Sequence, residues 1–287
     1  MSTFKFNFLP SAEDHDLTRE TLSENLHDDG CPADDTDNLA CELQLPSSKI
    51  EAKGLDTAEF YFKGHHLQIL SGPSVEDHLL NSSALSSLAL KNAIARHSDL
   101  EAGKYEGGLK LWECAVDLCQ YLEECDISMP GCSVLELGCG GGLPGILAAK
   151  MGADIVHFQD FNKDVLEVYT MPNILLNFVD TCKFSFFSGD WSSFASLALE
   201  KNLRYDVILT SETIYNTASY PKLHKVFTSV LKKTGIILLA AKSVYFGVGG
   251  GVDSFIKFVD ERQQFKADII RNLDKGVFRK ILHLRWI

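Results

Sequence analysis

The sequence predicts an open α/β fold, a mostly parallel sheet with helices on its faces and a ligand crevice beyond the strands' carboxyl ends. Three observations carry that prediction. A short apolar strand at 134–137 runs into Gly138-Cys139-Gly140-Gly141-Gly142, and an apolar helix follows with Pro144 in its first turn. Apolar strand candidates at 154–159, 183–187, 205–210 and 236–241 alternate with helical stretches. Polar residues follow the strands, among them Asp160, Asp190 and Glu212.

Glycine serves where the backbone takes positive φ or must let a ligand touch it, and proline is tolerated at a helix start because that N–H has no partner. The helix N-terminus then presents free N–H groups and a positive dipole end. Gly140, Gly142 and Gly145 fit the dinucleotide string G-x-G-x-x-G, but two residues late, since the strand ends at Leu137 and the first glycine is Gly138. Read from Gly138, with Glu136 two residues ahead, the stretch is E-L-G-C-G-G-G.

Taken in order, residues 1–58 read as an acidic, disordered tail and 59–287 as the folded body, with 59–104 an N-terminal strand and helix extension. Phe4, Phe6, Phe8 and Leu9 form an apolar cluster that could dock on the body. The net charge of −12 is concentrated in residues 1–60, with fourteen Asp/Glu against four Lys/Arg; the remainder holds twenty-five against twenty-three. With no dense basic run, direct nucleic-acid binding is not expected. The eight cysteines form no CxxC pair and no zinc spacing with histidine, so they read as reduced thiols with no metal site. No signal-like segment follows Met1 and the longest apolar strand candidate, 236–241, is too short for a bilayer, so no membrane role is expected. The expected compartment is the cytosol, with nucleus and nucleolus open.

Residues 59–70 suggest a strand or hairpin on which His65 and His66 face opposite ways and cannot share a metal. A helix is expected over 85–97. Leu111, Ala115, Leu118 and Leu122 then mark one face of a helix that Gly107 and Gly108 precede, with Trp112, Val116 and Cys119 widening the stripe. Asp160 stands twenty-two residues after Gly138, near the spacing of about twenty for an acid that reaches ribose hydroxyls. Pro172 interrupts the next helix. A helix over 220–233, with Gly235 just beyond it, leads to the strand at 236–241. YFGVGGGV at 245–252 lacks a phosphate-binding lysine and reads as a mobile substrate-side loop. A helix to 265 and two strands, 267–270 and 277–285, close the chain as a hairpin.

Taken together, YEGGLKLWEC, LELGCGGGLPGI, FQDFN, GDW, TSETIYN and YFGVGGGV resemble the eukaryotic protein-histidine methyltransferases of methyltransferase family 16, over residues 104 to about 262. Relatives in that family methylate a histidine of a large-subunit ribosomal protein. The resemblance implies a Rossmann-like seven-stranded S-adenosylmethionine-dependent methyltransferase fold. It implies cofactor contacts from Leu111, Trp112, Glu113, Cys114 and Ala115, where Gly108-x-x-x-Trp112 matches the family. Gly138 follows, then Gln159, Asp160 and Phe161, then Gly189, Asp190 and Trp191, with the acid toward the adenine amino group and the indole against the purine, and finally Ser211. Glu212-Thr213-Ile214-Tyr215 matches the family's acid-x-x-aromatic motif. One departure concerns 180–182, where relatives often carry a longer basic insert; nuclear targeting from such an insert is in doubt here.

Within that resemblance the expected reaction is N-methylation of a histidine, with the tele nitrogen as the expected one, and the expected partner is a basic large-subunit ribosomal protein. Neutral imidazole has a free lone pair near physiological pH, whereas a lysine must first lose a proton. The useful protein group is then one that accepts the far N–H of the substrate ring. Glu212 is the candidate, with Tyr215 and Asn216 shaping the pocket. Three other readings stay open: a lysine acceptor, a nicotinamide-linked oxidoreductase, and a non-catalytic assembly factor holding a basic client through the acidic tail.

Overall fold

The computed structural model describes residues 39–45, 52–81, 88–125 and 127–287. The cluster Phe4, Phe6, Phe8 and Leu9 lies outside the described residues. Within the stretch read as a tail, β1 (Cys41–Leu43) is a strand and pairs antiparallel with residues 186–188. This corrects the expectation for 1–58: three residues without periodicity become a strand because the sheet offers them an unpaired edge. Ala40 N–H to Ser193 Oγ at 2.8 Å and a Lys201–Glu42 ion pair at 2.8 Å fasten it.

β2 (Thr57–Phe62) and β3 (His65–Leu70) form a separate two-stranded hairpin, with Gly64 at φ +89° in its turn. The helix α1 (Gly72–Leu80), with Pro73 in its first turn, and α2 (Leu88–Ala95) follow, then α3 (Glu113–Glu124). The body next alternates as the sequence predicts, through β4 (Ser133–Leu137), α4 (Leu143–Lys150) and β5 (Ile155–Asp160). The next helix comes in pieces: α5 (Lys163–Val165), a π-helical turn at Leu166–Thr170 and α6 (Met171–Leu176). Pro172 has no N–H for the carbonyl one turn back and its ring crowds that carbonyl, so the helix widens just ahead of it. Then come β6 (Lys183–Ser188), α7 (Trp191–Glu200), β7 (Tyr205–Ser211) and α8 (Tyr220–Val230). The chain closes with β8 (Leu231–Lys242), α9 (Val252–Arg262), β9 (Phe265–Leu273) and β10 (Arg279–Trp286).

The helix expected over 220–233 ends earlier, at Val230, because Leu231 is already extended at φ −73°, ψ 128°. Gly235 is not a helix stop but lies inside β8, where a Cβ would sit 2.9 Å from the Asp206 carbonyl, beside the register shift between Tyr205 and Val207. Close backbone approach explains the glycine here.

The main sheet runs in the order β1-β6-β5-β4-β7-β8-β10-β9. Strands β4 to β8 are parallel, while β10 is antiparallel to both β8 and β9. The Rossmann-like seven-stranded arrangement is present, and β1 makes the sheet eight-stranded. Because the chain goes outward from β4 through β5 to β6 and then returns to β7, the strand order reverses beside β4, and a crevice opens there. Side chains alternate between two cores. Val134, Val156, Phe158, Val207 and Leu209 meet α3, α4 and the hairpin on one face, and Leu135, Leu137, Ile208, Ile237 and Leu239 meet α7, α8 and α9 on the other. Among the described residues no helix is long and apolar enough to cross a membrane.

Candidate active site

The crevice at the carboxyl ends of β4, β5, β6 and β7 is a cleft whose floor is the glycine turn. Gly138, Gly140 and Gly142 all take positive φ, at +61°, +47° and +77°. A Cβ on Gly140 would sit 2.9 Å from the Gly108 carbonyl, so here two glycine segments touch backbone to backbone. Gly108 has its own reason, since a Cβ there would press on Val165 at 2.8 Å and lie 3.4 Å from Asp160 Oδ1. Glu136 does not face the cleft. Its Oε2 accepts from Gly145 N–H at 2.7 Å, and it ties the first turn of α4 to β4. A Cβ on Gly145 would strike Phe158 at 2.5 Å, so this third glycine serves helix-on-sheet packing.

Asp160 is buried at the tip of β5, with Oδ2 accepting from Gly140 N–H at 2.9 Å and Oδ1 from Asn162 N–H at 3.1 Å. Burial pushes its carboxyl up to about 6, against the pull of those N–H donors. With the Phe161 N–H as well, these donors still leave a lone pair on a carboxylate that can accept about four. Phe161, Gly189, Asp190, Trp191 and Ser211 also line the cleft. Asp190 is busy as well: Oδ1 caps α7 through Ser192 N–H at 2.7 Å and Oδ2 pairs with Lys222 Nζ at 2.8 Å. Gln159 is not on the wall. It is fully buried behind it, donating to the Gly189 carbonyl at 2.8 Å and accepting from Trp191 Nε1 at 2.9 Å, so it sets the indole rather than touching the cleft.

The segment ahead of α3 divides likewise. Leu111, Trp112 and Ala115 line the cleft, whereas Glu113 and Cys114 are turned away from it. Glu113 pairs with Arg279 at 3.1 Å, and Cys114 is buried under Glu212, where burial raises its thiol so that it keeps its proton. One helical turn cannot send five consecutive side chains to the same side. The Trp112 Nε1–H donates to the Gly107 carbonyl at 3.1 Å, and both Lys110 Nζ and Lys242 Nζ lie over its ring, at 4.5 and 5.0 Å.

Opposite the glycine turn, β7 delivers Ser211 to Asn216. Glu212 has φ +58°, a left-handed backbone that costs a residue with a Cβ on the order of 1–3 kcal/mol and is typical of sites where geometry matters more than stability. Its carboxylate is buried. Oε2 accepts from Tyr245 O–H at 2.5 Å, while Oε1 has no hydrogen-bond partner and lies 3.5 Å from Lys242 Nζ. Burial, then the nearby Glu212, raises the Tyr245 phenol, which therefore holds its proton as donor. Tyr215 O–H donates to Glu106 Oε2, and Glu106 Oε1 accepts from Gly103 N–H at 2.7 Å. Asn216 lines the cleft while its Oδ1 accepts from Ala218 N–H at 3.0 Å to cap a short 3-10 turn.

Sequence reasoning missed Glu106, Lys242 and Tyr245. Glu106 stands inside YEGG, where the glycines drew attention, and Tyr245 opens YFGVGGGV. That loop is tied down, which corrects its reading as mobile: Gly250 N–H donates to the Tyr215 carbonyl at 2.8 Å, Tyr245 N–H to the Gly250 carbonyl at 3.0 Å, and Gly251 N–H to Tyr220 Oη at 3.0 Å. A Cβ on Gly250 would sit 2.3 Å from the carbonyls of Ile214 and Tyr215. The glycine run exists so that the loop can lie on the TIYN segment. Among the described residues no cluster of His, Cys, Asp and Glu could hold a metal, and His65 and His66 instead face Glu123 and Glu59.

A profile of the family 16 methyltransferases, described as lysine methyltransferase, matches residues 97–249, which contain this whole cleft. The chain belongs to that family. Similar relatives are histidine protein methyltransferase 1 homologues: that of Mus musculus is 39% identical over 253 residues, covering 76% of this chain and 69% of the relative. That of Bos taurus is 42% identical over 221 residues, covering 68% of this chain, and this match spans 59% of the relative's length. A putative SAM-dependent methyltransferase from Streptococcus mutans has the same fold, with a TM-score of 0.54 at 13% identity, over 81% of this chain and 56% of that one. The family 16 cleft fits the family's cofactor on its own geometry. Gly138 and Gly140 make a cradle without side chains, and Asp160 keeps a free lone pair beside it.

Proposed function

We propose that this family 16 member is an S-adenosylmethionine-dependent protein-histidine N-methyltransferase, acting at the tele nitrogen of a histidine in a basic large-subunit ribosomal protein. The observation that carries the proposal is the buried Glu212 carboxylate, held by Tyr245 at the end of β7, across the cleft from the glycine turn. When bound, S-adenosylmethionine supplies a sulfonium methyl, whose S–C electron pair returns to sulfur as the lone pair of an acceptor nitrogen forms the N–C bond. The glycine turn, Asp160, Phe161, Asp190, Trp191, Leu111, Trp112, Ala115 and Ser211 would hold it.

The chain's own part is alignment and one proton. Placing reactants in line replaces an encounter in solution by a single geometry and needs little further chemistry from the protein. Glu212 accepts the far N–H of the substrate imidazole, which fixes the tautomer and takes that proton as the methyl arrives. Tyr215 already donates its O–H hydrogen bond to Glu106, so it offers a ring face and not a competing donor. The histidine relatives support this acceptor over lysine. The proposed compartment is the cytosol, extending to nucleus and nucleolus, where ribosomal proteins are assembled, and the acidic residues ahead of the body would draw in a basic client at long range.

The test is transfer of labelled methyl from S-adenosylmethionine to a ribosomal-protein fraction from cells lacking this enzyme, with amino-acid analysis of the labelled band. Methylhistidine is expected. Methyllysine would overturn the acceptor assignment, and no label despite tight binding of S-adenosylhomocysteine would favour an assembly factor.

A further inference from the structure

One largely enclosed cation beside this site has no part in the reaction as derived above. Lys242 stands at the end of β8, next in the sheet to β7, with its side chain only 12% exposed. It does not line the cleft. It lies behind Glu212, Nζ 3.5 Å from Oε1, and over two rings, those of Trp112 at 5.0 Å and Tyr245 at 5.6 Å. The other groups against Glu212 are neutral: the Tyr245 hydroxyl and the buried Cys114 thiol, both held protonated. Lys242 is thus the cation that faces this carboxylate at close range among the described residues.

We propose that Lys242 sets acceptor selectivity: by pairing with Glu212 from behind, it makes this wall a hydrogen-bond acceptor without net negative charge, which takes a neutral imidazole and rejects the ammonium of lysine. The inference rests on the proposed histidine acceptor. An unpaired buried carboxylate attracts any cation strongly, because charges interact far more in a protein interior than in water. Without Lys242 the Glu212 wall would draw in a lysine ammonium and take its proton, leaving the amine lone pair free for the methyl. With Lys242 present an entering ammonium meets a resident cation instead, while a neutral imidazole N–H meets no such repulsion and still donates to the carboxylate. Selectivity is a difference between two affinities, and a repulsive element against the wrong partner raises it as surely as a new contact to the right one. Lys242 is therefore a positioning residue acting through Glu212. Its placement depends on the aromatic shelf of Trp112 and Tyr245, whose negative ring faces favour a cation there.

The experiment compares the full chain with Lys242→Met and Lys242→Arg. Affinity for S-adenosylhomocysteine is measured by calorimetry as the check on folding. Labelled methyl transfer to the same ribosomal-protein fraction then gives the ratio of methylhistidine to methyllysine. The wild type should give methylhistidine, Lys242→Met should lower the ratio at least tenfold through new methyllysine, and Lys242→Arg should restore it. A wild type that labels lysine overturns the histidine reading itself and the selectivity with it. An unchanged ratio in Lys242→Met, or loss of all label with cofactor affinity intact, overturns the selectivity alone. Should Lys242→Met fail to bind, the wild type decides. At about pH 8.5, where 4-methylimidazole is neutral and n-butylamine is charged, the imidazole should inhibit transfer at a concentration at least tenfold lower; equal inhibition overturns the proposal.

Discussion

The two walls of the cleft are built in opposite ways. The wall around β4 and β5 is backbone: Gly138, Gly140 and Gly142 in left-handed conformations, Gly108 pressed against Gly140, and one carboxylate, Asp160, that accepts from the turn's own N–H. The wall around β7 is side chains that arrive from places far apart in sequence, Glu106, Glu212 and Tyr215 on the cleft with Lys242 and Tyr245 behind Glu212. A backbone wall can cradle a ligand that is the same in every member of a family, since it depends on shape more than on residue identity. A side-chain wall can be changed one residue at a time, which suits the part of the reaction that selects the acceptor.

The sharpest way to break the comparison is to give the backbone wall a side chain. Gly140→Val would place its Cβ 2.9 Å from the Gly108 carbonyl at φ +47°, where branched residues are strained. The expected result is a fall of at least a hundredfold in affinity for S-adenosylhomocysteine by calorimetry, with a lower melting temperature. Should the variant bind as the wild type does, the two glycine segments do not form the cradle. On the other wall, Glu212→Gln keeps size but removes the proton acceptor. Turnover should drop about 10²–10⁴-fold, the usual range for a positioned acid or base, while cofactor affinity stays within twofold. Equal losses in both would mean that Glu212 belongs to the cofactor wall.

The smallest effect concerns Asp160. Because burial raises its carboxyl to about 6, the free protein favours the protonated form, and this group's contribution to stability is lost as pH rises through about 6. Ligand hydroxyls donate to the ionised form, so binding has the opposite preference. Affinity for S-adenosylhomocysteine should therefore fall about tenfold per pH unit below about 6, and Asp160→Asn should be weaker above that pH and flat across it. A wild-type profile that is flat from pH 5 to 7.5 would remove Asp160 from the ligand's hydrogen bonds.

The sheet was mostly legible because its central strands are buried on both faces and read as apolar runs with glycine or acid at their ends. Exceptions lie where a neighbour decides. Cys41–Leu43 carries no strand pattern and is a strand only because β6 has a free edge, and the helix expected to run to 233 stops three residues earlier because β8 pairs with β7 from Leu231 on. In the site, Gly138, Asp160, Phe161, Asp190, Trp191, Glu212, Tyr215 and Asn216 reach the cleft as their strands implied. Glu113, Cys114 and Gln159 do not, since adjacent residues on a helix or strand cannot all face one way.

What this chain's residues determined by themselves is local: a strand, a glycine turn and a helix start at 134–145, the order of strands and helices after it, and an acid at the end of each of three strands. Those depend on backbone conformation and on apolar runs, which neighbours in sequence set. What only the tertiary structure decided is which side chains meet. Lys242 and Tyr245 stand thirty and thirty-three residues beyond Glu212 and Glu106 stands more than a hundred before Tyr215, and no pattern along the chain links them. They come together because parallel strands align their carboxyl ends, and a buried carboxylate there must take whatever partners the sheet's neighbours bring.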